Sequence, residues 1–256
     1  MSIEVTHNNE ILEVTINRPK ANAIDAPTSR ELSLIFESFM SDAKLRVAIL
    51  TGAGSKFFSA GWDLTAASEG EAFESDYGVG GFGGICELQF RPKPIIAAVN
   101  GMAVGGGFEI ALAADLIVAA EHAEFFLPEA TLGLIADNAI IRLPKVLPAN
   151  IAREMLISGR RMSAAEAQSW GVVNEVTTAE DLLPAARRLA ERICLSAPLS
   201  VAAVLDLIRS LETVSTSDAM TVVRNNSAYR STIDSLDALE GAKAYAEKRK
   251  PKWQGR

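Results

Sequence analysis

Glu109 and Glu129 each stand among apolar neighbours, in GFEIALAAD and FFLPEATLGL. Burial disfavours the charged form of a carboxyl. An acid held in such surroundings has its pKa raised toward neutrality, where it can both give and take a proton. Read alone, Glu109 is equally the wet side of a helix stripe. Glu129, after Pro128, is equally a first-turn acid complementing a helix dipole. Just ahead of Glu109 runs Gly105-Gly106-Gly107. Three glycines before a helix leave backbone N–H groups unobstructed at its N-terminus, where they hold an anion or an oxyanion that forms during a reaction. The other reading is a tight turn or close packing. Ser59-Ala60-Gly61, in FFSAGWDL, is a second small stretch with free N–H groups, followed by Trp62 and by Asp63, an acid placed to cap a helix. Together these pieces suggest proton transfer beside a stabilised oxyanion.

Other chemistries are poorly supplied. The chain has two histidines, His7 and His122, which leaves little for a Ser-His-Asp triad or a His-rich metal site. His122-Ala123-Glu124 resembles half of a zinc deaminase motif whose P-C-x-x-C half is missing, and no metal is expected. Thr51-Gly52-Ala53-Gly54 opens like a dinucleotide fingerprint. Phe57 replaces its third glycine and no clean helix follows, so a nicotinamide site is not expected.

A net charge of −7 and a pI near 5.1 disfavour nucleic acid as a partner. The basic tail, with Lys243, Lys248, Arg249, Lys250, Lys252 and Arg256, reads as a solvated end or a local anion site. Cys86 and Cys194 make no disulfide framework, so a reducing cytoplasm is the expected compartment. The start of the chain has neither the basic nor the apolar part of a signal peptide. Asp115 interrupts the best apolar run, so no membrane span is expected.

The elements that must position these groups are legible in outline. With 256 residues and 48% apolar content, the chain suits one large domain, alone or with an appendage. Ile11–Asn17, Val47–Leu50, Pro94–Val99, Leu116–Ala120 and Glu124–Leu127 read as strands. Pro27 sets the first turn of a helix running to about Asp42, with Leu32, Ile35, Phe36 and Phe39 on one face. Residues 55–67 read as loop, and 71–90 as irregular. Phe108–Ala114 is helical by composition. From 148 onward helices fit 148–157, 163–169, 179–195, 199–212, 216–232 and 234–247. Strands separated by helices imply an α/β layout with crossover connections. The chain divides near Ser196-Ala197-Pro198 into a core, 1–197, and a helical region, 198–256. Apolar faces such as Val201, Val204, Leu205, Ile208 and Leu211 must pack on the core or on another subunit.

These segments in this order resemble the crotonase family, the enoyl-CoA hydratases and isomerases. The likeness starts at INRPKANAID and continues through VAILTGAGSKFFSAGWDL, KPIIAAVNGMAVGGGFEIALAADLIVAA and FFLPEATLGL. It ends at RRMSAAEAQSWGVVNEV and EGAKAYAEKRKPKWQGR. It implies a spiral of ββα units with C-terminal helices that build trimers, often paired into hexamers. It also implies an acyl-CoA substrate, with coenzyme A as part of that substrate and no permanently bound cofactor. By motif, the Trp62 and Gly106 N–H groups form the oxyanion hole and Glu109 and Glu129 hold the water. Lys20, Ala21, Ala23, Ser59, Ala60, Asp63 and Leu64 match segments that lie along coenzyme A. Lys248 matches a tail position that in some relatives meets its phosphates, across a subunit contact.

Within the family, RPKANAID, SAGWDL and EKRKPKWQGR look most like the branch that hydrates crotonobetainyl-CoA, whose acyl group carries a trimethylammonium. A general short-chain hydratase or isomerase, or a non-catalytic acyl-CoA-binding subunit, are the rival readings. One stretch departs from the family pattern. In Leu132–Pro144 a proline is replaced by Ala136, a Gly pair is absent and one residue is missing, where relatives border the acyl pocket.

Overall fold

A computed structural model describes residues 2–256. The chain winds through β1 (Ile3–Asn8), β2 (Ile11–Ile16), α1 (Ala26–Ser41), β3 (Val47–Gly52), β4 (Phe57–Ser59), α2 (Leu64–Ser68), β5 (Ile95–Val99), β6 (Met102–Val104), α3 (Gly106–Ala113), β7 (Leu116–Ala120) and β8 (Glu124–Phe126). It continues through α4 (Asp137–Val146), α5 (Ala149–Ser158), β9 (Met162–Ser163), α6 (Ala164–Ser169), β10 (Glu175–Thr177) and α7 (Leu182–Cys194). The helices α8 (Pro198–Leu211), α9 (Thr216–Asn225), α10 (Ser227–Ile233) and α11 (Leu236–Ala246) close the chain.

Successive turns of this path place one strand in each of two sheets. The larger has the order β1-β2-β3-β5-β7-β10 and the smaller β4-β6-β8-β9. β3, β5 and β7 stack in parallel, Ile49 opposite Ile96 and Ile96 opposite Leu116. β4, β6 and β8 do the same one step later in each turn. The result is the spiral of ββα units that the resemblance implies.

Two-residue periodicity decides the core. Ala48 and Leu50, Ile95 and Ala97, and Ile117 and Ala119 face the inner cluster with Phe36, Phe58 and Phe108. Their neighbours Val47 and Ile49, Ile96 and Ala98, and Val118 and Ala120 face the opposite side. There α7 covers them with Leu182, Ala185, Ala186 and Ala190. A sheet covered on both faces needs unbroken apolar strands, which explains runs such as VAIL and IIAAV. α1 starts as the sequence predicts. Asp25 accepts from Thr28 N at 2.9 Å, Pro27 lies in the first turn, and Leu32, Phe36 and Phe39 are buried.

Two expectations need correction, and one strand goes unmarked in the sequence. Residues 55–67 are not loop throughout, for they contain β4 and all but the last residue of α2. Both are too short for periodicity to reveal them, and they are held by pairing to β6 and by the Asp63 cap. Met102–Val104, which the sequence does not mark as an element, is a strand of the small sheet. The helix expected over 216–232 is two helices. It breaks at Asn226, whose backbone is extended and whose side chain caps α10 by accepting from Tyr229 N at 3.0 Å.

Candidate active site

Gly105, Gly106 and Gly107 turn the chain from β6 into α3, and the geometry requires glycine there. Gly105 has φ 54°, and a Cβ on it would lie 2.4 Å from Glu129 Oε1. The Glu129 carboxylate therefore sits against the bare backbone of this turn. Gly61, at φ 78°, is pinned in the same way from the other loop. A Cβ there would lie 2.7 Å from Gly106 N and 2.7 Å from Val104 O. Glycine at Gly61 lets the two loops touch, and glycine at Gly105 lets the Glu129 carboxylate approach the turn.

That contact makes neighbours of two backbone donors. Ile24 N donates to Gly61 O and Asp63 N to Ile24 O, an isolated bridge that leaves Trp62 N pointing away from Ile24. Among the described residues, neither Trp62 N nor Gly106 N donates a hydrogen bond within the protein. Gly106 is the first residue of α3, so its N–H also carries the positive end of that helix.

The two glutamates line one cleft of about 180 Å³ with these donors. Glu109 is 6% exposed, on the first turn of α3. Burial pushes its pKa up to about 7, against the opposing hydrogen bond from Ala139 N, and the nearby Asp137 and Glu129 charges add to the rise. That bond, Ala139 N to Glu109 Oε1 at 2.9 Å, comes from the first turn of α4. Glu129 opens a short 3₁₀ turn, Glu129–Leu132, after β8. Burial raises its pKa too, with Asp137 contributing, and its Oε2 is buried with no hydrogen-bond partner among the described residues. A buried carboxylate oxygen left unpaired is costly in a structural role. Glu129 itself lines the cleft. The surface-acid reading of Glu109 is thereby removed.

The segments matched to coenzyme A come together. Ala60 N donates to Ala21 O at 2.9 Å, and Ser59 Oγ donates to Asn22 O at 2.8 Å. Lys20 and Asn22 both take left-handed φ in this loop. Ala23 O accepts from Arg18. Ala60 and Leu64 line the cleft. The Asp63 carboxylate caps α2 through Thr65 N at 3.0 Å and pairs with Arg18 at 3.3 Å. Lys248 is not brought to the cleft within the single chain. It follows α11 in a tail docked by Gln254 N and Gly255 N on the buried Asp237.

Sequence reasoning missed the residues that hold these loops. Asn22 Nδ2 donates to Ala53 O and Phe57 O, and Asn100 Nδ2 donates to Gly54 O and Phe57 O. These two amides tie down the stretch that opens like a dinucleotide fingerprint, and their signal is only a buried Asn beside a turn. Asp137 and Asn138, at the start of α4, were also missed as lining residues. The departing stretch does border the cleft, through Leu132, Leu134 and Ile135.

The profile of the enoyl-CoA hydratase/isomerase family matches residues 6–256. The chain belongs to that family. The carnitinyl-CoA dehydratase of Salmonella arizonae is 54% identical to it over 99% of this chain and 98% of that one. That of Escherichia coli (strain K12) is 52% identical, over 100% and 99%. Among solved structures, an enoyl-CoA hydratase from Mycobacterium tuberculosis H37Rv superposes with a TM-score of 0.92 at 40% identity, over 100% of this chain and 99% of that one. One from Bacillus anthracis gives 0.91 at 33% identity, covering both chains fully. The family resemblance and the fold read from the motifs are those of the enoyl-CoA hydratases, and acyl-CoA thioesters are the substrate class of such an enzyme. Among the described residues, no single helix is long and apolar enough to cross a membrane.

Proposed function

We propose that this hydro-lyase adds water reversibly to a short enoyl-CoA thioester bearing a trimethylammonium, interconverting crotonobetainyl-CoA and carnitinyl-CoA. The observation that carries the reading is the juxtaposition of two raised-pKa glutamates with two unengaged N–H donors in one cleft. The names of relatives at 52–54% identity support the acyl group.

In this reading the thioester carbonyl oxygen accepts from Trp62 N–H and Gly106 N–H. As the water oxygen bonds to Cβ, the C=C π electrons move toward the carbonyl and charge develops on its oxygen. Two preorganised donors at that position stabilise it by roughly 3–4 kcal/mol each. One of Glu109 and Glu129, ionised, takes a proton from the water. The other, protonated, gives one to Cα, so the pair leaves the cycle with the same total charge. Dehydration is the reverse. The route uses only groups of this chain and no resident cofactor. Coenzyme A enters with the substrate, along Lys20–Ala23 and Ser59–Leu64, with Lys248 approaching its phosphates from a neighbouring subunit.

Self-association belongs to the same proposal. In α9 and α10 no side chain is buried, and α8 buries only Ala203, while Val204, Ile208 and Met220 stand exposed. Such faces suit a closed rotational assembly, a trimer or a pair of trimers. Light scattering at micromolar concentration is expected to give three or six times 27.3 kDa, and a mass of 27.3 kDa contradicts it. The two cysteines are free thiols, which suits a reducing cytoplasm.

Parallel steady-state assays test the substrate. The expected result is a higher kcat/KM for crotonobetainyl-CoA than for crotonyl-CoA. The reverse preference moves the protein to the general short-chain hydratases. No turnover of either, with tight binding of both, makes it an acyl-CoA-binding subunit.

A further inference from the structure

Four carboxylates line the cleft, and no Lys, Arg or His residue does among the described residues. Hydration uses two of them, Glu109 and Glu129. The other two come from separate parts of the chain: Glu87 follows the 3₁₀ turn Phe82–Gly84, and Asp137 opens α4. Both are exposed at the cleft and neither forms an ion pair among the described residues. Asp137 Oδ1 accepts only from its neighbour Asn138, through N at 2.7 Å and Nδ2 at 3.1 Å. Its charge reaches across the cleft. After burial it is among the causes that raise Glu109, Glu129 and Tyr77, the last to about 12. A cleft for a neutral acyl chain gains nothing from two further unpaired negative charges.

The cleft is also lined by aromatic rings. Trp62 meets Phe73 edge-on at 5.5 Å, and Tyr77 meets Phe82 edge-on at 5.5 Å, and all four rings line the cleft. Two other acids of the 71–90 segment are used differently. Glu71 holds the Trp62 indole N–H at 2.8 Å and Ala26 N at 3.0 Å. Asp76 accepts from Gly78 N at 2.9 Å. Glu71 thus orients a wall and leaves Glu87 and Asp137 as the charges that face the acyl group.

A quaternary ammonium cannot donate a hydrogen bond. It is recognised by aromatic faces and diffuse negative potential. On a crotonobetainyl chain the nitrogen lies two bonds from Cβ, so it must sit close beside the carboxylates that handle the water. We infer that Glu87 and Asp137, with the Trp62–Phe73 and Tyr77–Phe82 pairs, form the subsite that selects a permanent cation on the acyl chain. They are specificity-determining residues distinct from the proton-transferring pair. The inference rests on the acyl-thioester reading of the cleft given above.

Unreactive saturated thioesters separate recognition from turnover. The probes are 4-trimethylammoniobutyryl-CoA and its neutral isostere 5,5-dimethylhexanoyl-CoA, with dissociation constants measured calorimetrically on the full-length protein. The wild type is expected to bind the cation about tenfold or more tightly than the isostere. In E87Q/D137N that ratio falls to near unity, and each single variant loses part of it. Circular dichroism is expected to show all three variants folded, since both side chains are exposed. Equal wild-type affinities, or a ratio that survives in the double variant, overturn the inference and leave the acyl-CoA reading standing. Failure to bind either thioester removes that reading and the inference with it.

Discussion

Glu109→Gln and Glu129→Gln are each expected to lower kcat for enoyl-CoA hydration by about 10²–10⁴. Glutamine keeps the shape and can retain a hydrogen bond to water, but transfers no proton. Because the two carboxyls act on one water, the double variant should lose less than the product of the single losses. The working state has one proton on the pair. Below the acid limb both carboxyls are protonated and none takes the proton of water. Above the basic limb both are ionised and none protonates Cα. The kcat/KM profile is therefore a bell, and its limbs belong to the pair rather than to either residue. Burial raises both carboxyls, Glu109 to about 7, which moves the pair's limbs upward from the ordinary carboxylate range. Steady-state kinetics of the single and double variants, with pH profiles, check this. A nearly wild-type Glu129→Gln beside an inactive Glu109→Gln indicates one-acid chemistry, as in an isomerase.

Gly106→Pro is expected to cost about 10²–10³ or more in kcat, since it deletes one of the two donors to the developing oxyanion. Proline is tolerated at the first position of a helix, which is where Gly106 stands, so the helix itself survives the change. A Cβ at this position would lie 2.5 Å from Phe82 Cε1, so the phenyl ring must swing aside. Circular dichroism and thermal unfolding separate that repacking from loss of the donor. A well-folded Gly106→Pro protein with unchanged kcat contradicts the oxyanion assignment.

The parts legible in the sequence are those that carry their own signal. α1 announces itself through Pro27 and the Leu32–Phe36–Phe39 stripe, and β3, β5 and β7 through unbroken apolar runs. Glu109 and Glu129 stand out as lone acids among apolar residues, and the glycines beside them mark the turn. What was not legible depends on contacts distant in sequence. β4 and β6 have three residues each and exist because they pair with each other, across a register shift between Phe57 and Ser59. Whether Glu109 faced solvent or core was undecided until α4 placed Ala139 N over its carboxylate. Asp137 sits in the stretch that departs from the family pattern, and its part in the cleft follows from a helix start that no local motif marks. Residue type alone does not tell Glu71 from Glu87. Only packing separates Glu71, bonded to Trp62, from Glu87, open to the cleft.

The most direct test of the central claim, addition of water across an enoyl-CoA double bond by this glutamate pair, is isotopic. Crotonobetainyl-CoA is incubated with the enzyme in water enriched in heavy oxygen and deuterium, and the thioester product is read by mass spectrometry and NMR. The expected product carries one heavy oxygen on Cβ and one deuterium on Cα, and it does not form with the Glu109→Gln/Glu129→Gln protein. Deuterium exchanged into the acyl chain without oxygen, or a thioester recovered unlabelled from the wild type, contradicts the account.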